Sequence, residues 1–226
     1  MIDARRVQTH FDHVAVEYDR WKARAAYYYA WLARLLREQI PPGARVLDLG
    51  CGTGTLLNAV APTRGVGVDL SPEMVRLAHD RFPHLDFRAG DAQLLGQGET
   101  FDYVLLVDVL EHLSNPRAVL EAARHACRVD GRVIVLTANP LWRPILHMAE
   151  ALHLKMPEGD HRWLRPAEIR QALRDAGLAI LREDRRVLIP KRIPLLSWLA
   201  NDYLGRLPGL QSLCLILMFI ASPQDE

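Results

Sequence analysis

The chain is poor in several features that would direct a reading elsewhere. It has three cysteines in 226 residues, Cys51, Cys127 and Cys214. That odd, widely spaced set builds neither a disulfide framework nor a metal knuckle, and it fits a reducing compartment. An excess of one charge is also missing: 28 Lys and Arg face 27 Asp and Glu, a formal net charge of +1. No global field therefore recruits nucleic acid, and no basic stripe interleaved with aromatics offers it a track. The N-terminus is polar and charged from Asp3 to Arg6, without the apolar core of a signal peptide. The strongest apolar run, Leu213 to Ala221, falls far short of the ~20 residues a spanning helix needs and reads as a buried strand. No internal repeat, low-complexity tract or triad-like spacing of a serine or cysteine nucleophile appears. The expectation is one α/β domain over residues 1–226, cytoplasmic and soluble, with no feature that sets an oligomeric state.

Half of the residues are apolar, enough for a core of ordinary α/β size. Residues 24–39 carry apolar positions at helical spacing and stop at Pro41-Pro42-Gly43. Short apolar strands are expected at 45–49, 65–69, 85–89, 102–108 and 131–138. Helices are expected between them at about 53–61, from Ser71-Pro72 and from Asn115-Pro116, the last two with a capping residue ahead of a first-turn proline. This alternation implies a parallel sheet with right-handed crossovers, a Rossmann-like doubly wound arrangement. A helix after Arg165-Pro166 leads to a sixth strand at 178–183, and 213–221 is the seventh.

The run Val46-Leu47-Asp48-Leu49-Gly50-Cys51-Gly52-Thr53-Gly54 carries the most information. It reads as a buried strand ending in a glycine turn that feeds a helix beginning near Thr53. The glycines let the main chain turn tightly and let a ligand lie against bare backbone whose amides point outward. The dinucleotide fingerprint G-x-G-x-x-G requires a glycine where this chain has Thr55. Asp48 would place negative charge beside a pyrophosphate, whereas it suits a ligand bearing an ammonium group. These residues resemble motif I of the class I S-adenosylmethionine-dependent methyltransferases, a hydrophobic strand followed by D-x-G-x-G-x-G. The resemblance is strong over residues 45–138 and looser elsewhere. It implies a seven-stranded sheet, mostly parallel, whose antiparallel last strand lies between the fifth and sixth.

The resemblance also implies where S-adenosylmethionine, and its product S-adenosylhomocysteine, would lie. Asp48, Gly50, Cys51, Gly52 and Gly54 form the loop. Asp69, about twenty residues after Asp48, ends strand two, where one carboxylate can accept from both ribose hydroxyls. A helix-start acid beside Ser71 is the alternative. Leu70 and Met74 would flank the adenine. Asp91 would accept from the adenine amino group and Ala92 would offer an amide, with a plain turn role as the alternative for Asp91. The N-terminal stretch Phe11 to Trp21 resembles the opening of ubiquinone- and menaquinone-pathway methyltransferases and their small-molecule relatives. In those, a leading helix covers the cofactor and a tyrosine matching Tyr18 faces it. Residues 1–42 are accordingly expected to form a helical lid, or else an amphipathic helix packed on the core.

Methyl transfer is an in-line displacement on an activated carbon, so alignment and exclusion of water dominate. Asp108, Glu111 and His112, just after strand four, are the candidate catalytic cluster, with His112 as proton acceptor and Glu111 orienting it. The same string occurs widely where Glu111 and His112 only shape the helix entry and the cofactor wall, and Asp108 is expected among the cofactor-binding residues as well. Some quinone-pathway and RNA O-methyltransferases bind a divalent ion through E-x-x-E-H, and here aspartate stands first. A metal would need a further ligand from His147, His153 or His161, and the preferred reading has none. The N/D-P-P-Y/F string of nucleic-acid amino methyltransferases is absent. Residues 139–165, with Trp142, Met148, Met156 and Trp163, and residues 186–212 are expected to cover the acceptor side. Lys191-Arg192 followed by an apolar stretch containing Trp198 suits either a core cover or a segment meeting an anionic membrane surface. The expected activity is O-methylation of a lipophilic or aromatic small molecule, with carbon as the second choice of acceptor atom. The alternatives are a quinone- or lipid-pathway enzyme at the membrane surface, or a noncatalytic partner subunit that retains the pocket.

Overall fold

The computed structural model describes residues 2–94, 98–157 and 159–224; the ends of the expected 1–226 domain and the break within 139–165 lie outside the described residues. Seven strands form one sheet: β1 (Arg45–Leu49), β2 (Arg64–Asp69), β3 (Asp86–Ala89), β4 (Phe101–Val107), β5 (Cys127–Ala138), β6 (Leu178–Arg186) and β7 (Ile216–Pro223). Their spatial order is β3-β2-β1-β4-β5-β7-β6. The first five pair in parallel, and β7 runs antiparallel to both β5 and β6. Order reverses between β1 and β4, so their carboxyl ends open a crevice where ligands bind in such sheets.

The helices are α1 (Ala4–Arg24), α2 (Ala26–Gln39), α3 (Thr55–Ala59), α4 (Pro72–Arg81), α5 (Pro116–Ala126), α6 (Arg143–Ala151), α7 (Pro166–Asp175) and α8 (Leu196–Asp202). Strand alternation sends side chains to two cores. Val46, Leu105, Ile134 and Met218 pack with Leu32, Leu35 and Leu36 of α2 on one face. Leu47, Val104, Val135 and Phe219 pack with Leu120 of α5 and Leu173 of α7 on the other. Because both faces are covered, the central strands are nearly all apolar.

The N-terminal region differs most from its expected outline. α1 runs as far as Arg24, and the chain breaks only at Ala25 before α2 begins. Asp3 caps α1 by accepting from the Arg5 amide at 2.9 Å. The α1 helix then lies across the crevice and is tied to the sheet layer by two side chains. The Ser71 hydroxyl bonds Asp12 Oδ1, and Arg81 pairs with Asp19 at 2.9 Å.

The two cover segments are joined to each other and to α2. Asn139 donates to the carbonyls of Ser212 and Cys214 at 3.0 and 2.8 Å, and Trp142 Nε1 donates to Leu213 O at 2.7 Å. Asn201 both accepts from Ile189 N at 2.8 Å and donates to Ile189 O at 2.9 Å, and it donates to the Tyr27 hydroxyl at 3.2 Å.

Candidate active site

The glycine loop is shaped by its bonds to β2. Gly50 and Cys51 both donate to Val68 O, at 2.7 and 3.1 Å, and Gly52 N donates to Asp69 Oδ2 at 2.7 Å. Gly50 sits at φ +80, and a Cβ there would lie 2.1 Å from Val109 Cγ2. Both the left-handed backbone and the close approach therefore demand glycine. Gly52, at φ +52, faces the Tyr18 hydroxyl. Helix α3 begins at Thr55 and is only five residues long. The loop amides and the Asp69 anchor, more than a helix terminus, thus set the shape of this cradle.

Two cavities open over the strand ends. The first, of about 170 Å³, is bounded by the loop (Asp48, Gly50, Cys51, Gly52), by Asp69, Leu70 and Met74, and by Asp91 and Ala92. Tyr18, Phe11 and Val7 of α1 close it from above. All the residues expected to hold the cofactor except Gly54 line this one space. Gly54 instead caps α3, where a Cβ would meet Phe87 at 2.5 Å. Asp69 keeps its loop bonds, to Gly52 N and to Ser71 N at 2.9 Å. Asp91 accepts from Gln93 N at 2.9 Å, a turn bond, while still facing the cavity.

Electrostatics of this space favour a cationic guest. Asp48 is buried without a hydrogen bond or ion pair among the described residues, and burial pushes its carboxyl up to about 7. An ammonium placed there would restore its charge and satisfy it. Burial likewise raises the Asp69 carboxyl above its usual range, opposed by its backbone donors.

The second cavity, of about 260 Å³, lies under the cover segments, with Trp21, Tyr28, Trp142, Ile145, Leu146 and Trp163 among its walls. It meets the first at Tyr18, Lys22, Tyr29, Asp108 and Met156, which line both. Asp108 sits at φ +51, just past β4, where its short polar side chain tolerates the left-handed region. Its carboxylate accepts from the Tyr28 hydroxyl at 3.1 Å.

The expected Asp108–Glu111–His112 cluster is divided between the two spaces. A 3-10 turn over Leu110–His112 points consecutive side chains in different directions. Glu111 faces the acceptor side and accepts from Thr137 Oγ1 at 3.1 Å. His112, the expected proton acceptor, lines the first cavity instead. Its Nδ1 lies 3.3 Å from Asp160 O, and its ring stands edge-on to Phe11. No three His, Cys, Asp or Glu side chains converge as a metal site among the described residues. Of the expected further ligands, His161 lines the second cavity with its ring 6.1 Å from those of His112 and His147. The rings of His147 and His161 pack beside Trp163 and offer no chelating set among the described residues.

Three residues at the junction carry no motif. Lys22 lies in the last turn of α1 with its ammonium 4.5 Å from the Tyr18 ring and 5.0 Å from the Tyr29 ring. Burial lowers its pKa to about 8 against the pull of Asp19 and Asp48. Tyr28 and Tyr29 come from the first turns of α2. A signal for them existed in the Tyr27-Tyr28-Tyr29 run closely following Lys22, but only the turn at Ala25 folds the two helices so that these side chains meet.

A doubly wound sheet with an inserted antiparallel strand, a glycine loop anchored by an acid, and a buried carboxylate awaiting a cation define the Rossmann-like methyltransferase class. A profile of the methyltransferase domain matches residues 20–183, and the chain belongs to that family, the class I S-adenosylmethionine-dependent methyltransferases. A Xylella fastidiosa (strain 9a5c) protein named ubiquinone biosynthesis O-methyltransferase is 34% identical over 158 residues, 63% of this chain and 64% of that protein. The match thus spans less than two thirds of that relative's length. An S-adenosylmethionine-dependent methyltransferase of Thermotoga maritima shares the fold with a TM-score of 0.76 at 19% identity, over 96% of this chain and 100% of that one. Magnesium protoporphyrin IX methyltransferase of Synechocystis PCC 6803, solved with bound S-adenosylhomocysteine, shares it with a TM-score of 0.65 at 21% identity, over 98% and 100%. S-adenosylmethionine is the cofactor of this family, and the first cavity has the acids and bare backbone to fit it.

Proposed function

We propose that this chain transfers the methyl group of S-adenosylmethionine to an oxygen of a lipophilic, aromatic small molecule. The observation that carries the reading is the second cavity, walled by aromatic and aliphatic side chains and opening onto the first at Asp108. When bound, the cofactor supplies an electrophilic methyl carbon. The protein supplies alignment and dryness: α1 and the first turns of α2 form a lid over residues 1–42, and residues 139–165 and 186–212 close the acceptor side. Asp69 binds the ribose while pinning the loop, Asp48 takes the ammonium, and Asp91 and Ala92 hold the adenine between Leu70 and Met74. Asp108, held by Tyr28, and Glu111, held by Thr137, face the space where the acceptor lies and orient its polar atoms. His112 and Phe11 form the cofactor wall. The name of the Xylella relative, an O-methyltransferase of ubiquinone biosynthesis, supports both oxygen as the acceptor atom and a lipophilic substrate.

Transfer of isotopically labelled methyl from S-adenosylmethionine into a cell extract, partitioned into organic, aqueous and macromolecular fractions, tests the reading. Label in the organic phase is expected, and label confined to protein or RNA refutes the substrate class.

A membrane-surface setting is favoured by one further observation. Around α8, Leu195 is 81% exposed and Trp198 54%, beside the exposed Lys191 and Arg192, and Leu196 and Leu199 are exposed too. An apolar, tryptophan-bearing patch flanked by two cations suits insertion into an anionic lipid interface. Because this segment also bounds the second cavity at Pro190 and Lys191, a lipophilic acceptor would reach the site directly from the bilayer. No helix among the described residues is long and apolar enough to cross a membrane, so the contact would be peripheral.

A further inference from the structure

The junction of the two cavities holds a lysine to which neither the motif nor the family match gives a role. We propose that Lys22, seated where cofactor and acceptor spaces join, takes the proton of the acceptor hydroxyl and then holds the resulting oxyanion in line with the methyl carbon. The proposal rests on the O-methylation reading above and assigns the step that this reading leaves without a group.

Geometry limits the choices. The acceptor oxygen must meet the methyl carbon where the two spaces join, and five residues line both: Tyr18, Lys22, Tyr29, Asp108 and Met156. Met156 has no basic atom, and both tyrosines are phenols. Burial and neighbouring acids also raise the Tyr18 hydroxyl well above its usual range. Asp108 is already engaged by Tyr28. Lys22 has no hydrogen-bond or ion-pair partner among the described residues, and its nitrogen rests on the faces of Tyr18 and Tyr29. The groups facing it are Tyr18 and Asp19 from α1, Tyr29 from α2, Asp48 within β1, Cys51 after β1, Asp69 at the end of β2 and Asp108 after β4.

The arrival of a sulfonium sharpens the case. Two cations sharing this seam repel, so the loaded protein favours the neutral amine, the form that accepts a proton. The amine takes the acceptor O–H proton and becomes an ammonium beside the oxyanion. The oxygen lone pair forms the bond to the methyl carbon as the carbon–sulfur bond breaks, and that bond's electron pair stays on sulfur. The products are a methyl ether, a neutral thioether and an ammonium that returns its proton to water. Charge and atoms balance without another reactant.

The decisive experiment is calorimetric titration of wild type, Lys22→Met and Lys22→Arg with S-adenosylmethionine and S-adenosylhomocysteine between about pH 6.5 and 9.5. The ligands differ in the sulfonium, which also acidifies the neighbouring α-ammonium, and Asp48 titrates at about 7. The pH dependence of their affinity ratio is therefore read against Lys22→Met, which keeps both effects. In wild type the ratio should shift toward S-adenosylmethionine by roughly tenfold more than in Lys22→Met as pH rises, because a nearby cation is being lost. Lys22→Met should give the baseline slope with a favourable ratio, and Lys22→Arg, whose guanidinium keeps its charge, the same slope with an unfavourable one. Parallel ratios in wild type and Lys22→Met would overturn the proposal while leaving the cofactor assignment intact. Failure of wild type to bind either ligand would remove the methyltransfer reading, and this proposal with it.

A second readout uses 4-nitrocatechol bound to the S-adenosylhomocysteine complex, since its phenol and phenolate differ in colour. Wild type should ionise it at about one pH unit below Lys22→Met, a tenfold change in phenolate population. Equal midpoints would refute the oxyanion role.

Discussion

Gly50→Ala tests the physical account of the loop most directly. Two separable costs are present at this residue. The backbone lies at φ +80, where an alanine costs about 1–2 kcal/mol. The new Cβ would also lie 2.1 Å from Val109 Cγ2, 3.2 Å from Cγ1 and 3.3 Å from Cβ. Relieving that overlap should add about 1–3 kcal/mol, because the branched Val109 side chain is stiff at χ1 and must leave its rotamer or shift with the chain to clear it. The total of about 2–5 kcal/mol corresponds to a fall in melting temperature on the order of 10 °C for a chain of this size. Calorimetric or fluorescence-detected melting measures it, with S-adenosylhomocysteine titration reporting the cradle. Adding Val109→Ala removes both γ carbons, leaving only the 3.3 Å contact. The double variant should therefore recover the steric part and keep the backbone part, so that the two substitutions couple by about 1–3 kcal/mol. If Gly50→Ala melts within about 1 °C of wild type and binds S-adenosylhomocysteine normally, the close-approach argument fails.

Asp69→Ala removes the acceptor for Gly52 N and Ser71 N together with the proposed ribose ligand, and S-adenosylhomocysteine affinity should fall by at least about thirtyfold. A loss under threefold by titration calorimetry would mean that Asp69 is only a helix-start residue. Burial raises the Asp48 carboxyl from 3.8 to about 7 in the folded chain. The native state therefore keeps a proton that the unfolded state gives up, and this group's stabilisation is lost as pH rises through about 7. Asp48→Asn should consequently melt higher than wild type at about pH 8.5, with no such gain at about pH 4, yet gain less from added S-adenosylmethionine. A gain of equal size at both pH values would refute the assigned burial effect. Trp198→Glu should reduce cosedimentation with anionic phosphatidylglycerol vesicles severalfold while leaving S-adenosylhomocysteine binding unchanged; equal sedimentation would remove the membrane setting. Asn201→Ala deletes the bonds joining Ile189 to α8 and should lower stability by about 1–3 kcal/mol in denaturant unfolding. No measurable change would show that this bracket does not hold the cover.

The parts of the molecule that were legible in the sequence are those whose cause is local. Ser71-Pro72 and Asn115-Pro116 start helices because cap and first-turn proline act within a few residues, and both start as expected. The glycine loop was legible because its backbone requirement appears directly as residue type. The place of β7 followed only from the family resemblance: nothing in Ile216 to Pro223 itself says which neighbours it will have. Boundaries set by pairing also escaped. β5 begins at Cys127, before the expected Gly131, because Cys127 pairs with Phe101 across a bulge, and β6 continues to Arg186 opposite Ile216. At the site, the positions of Asp48, Asp69 and Tyr18 could be read by matching a pattern. Lys22 could not, because its significance comes from two helices folding over a crevice and from two rings that are adjacent only in space. The division of Glu111 from His112 likewise depends on a 3-10 turn that three ordinary residues do not announce.

The insertion of β7 has a consequence for how the molecule is made. On a ribosome, residues 127–138 and 178–186 emerge well before 216–223, yet neither segment can complete its ladder until that later strand slides between them. In the interval β5 presents an open edge of Val133, Ile134, Val135 and Leu136, residues that end up fully buried. Such an edge is a template for pairing with other chains, and closing it requires contacts about eighty residues apart. Nascent and newly released protein should therefore be the aggregation-prone species and the natural client of chaperones, while the finished sheet hides the same strand at its centre.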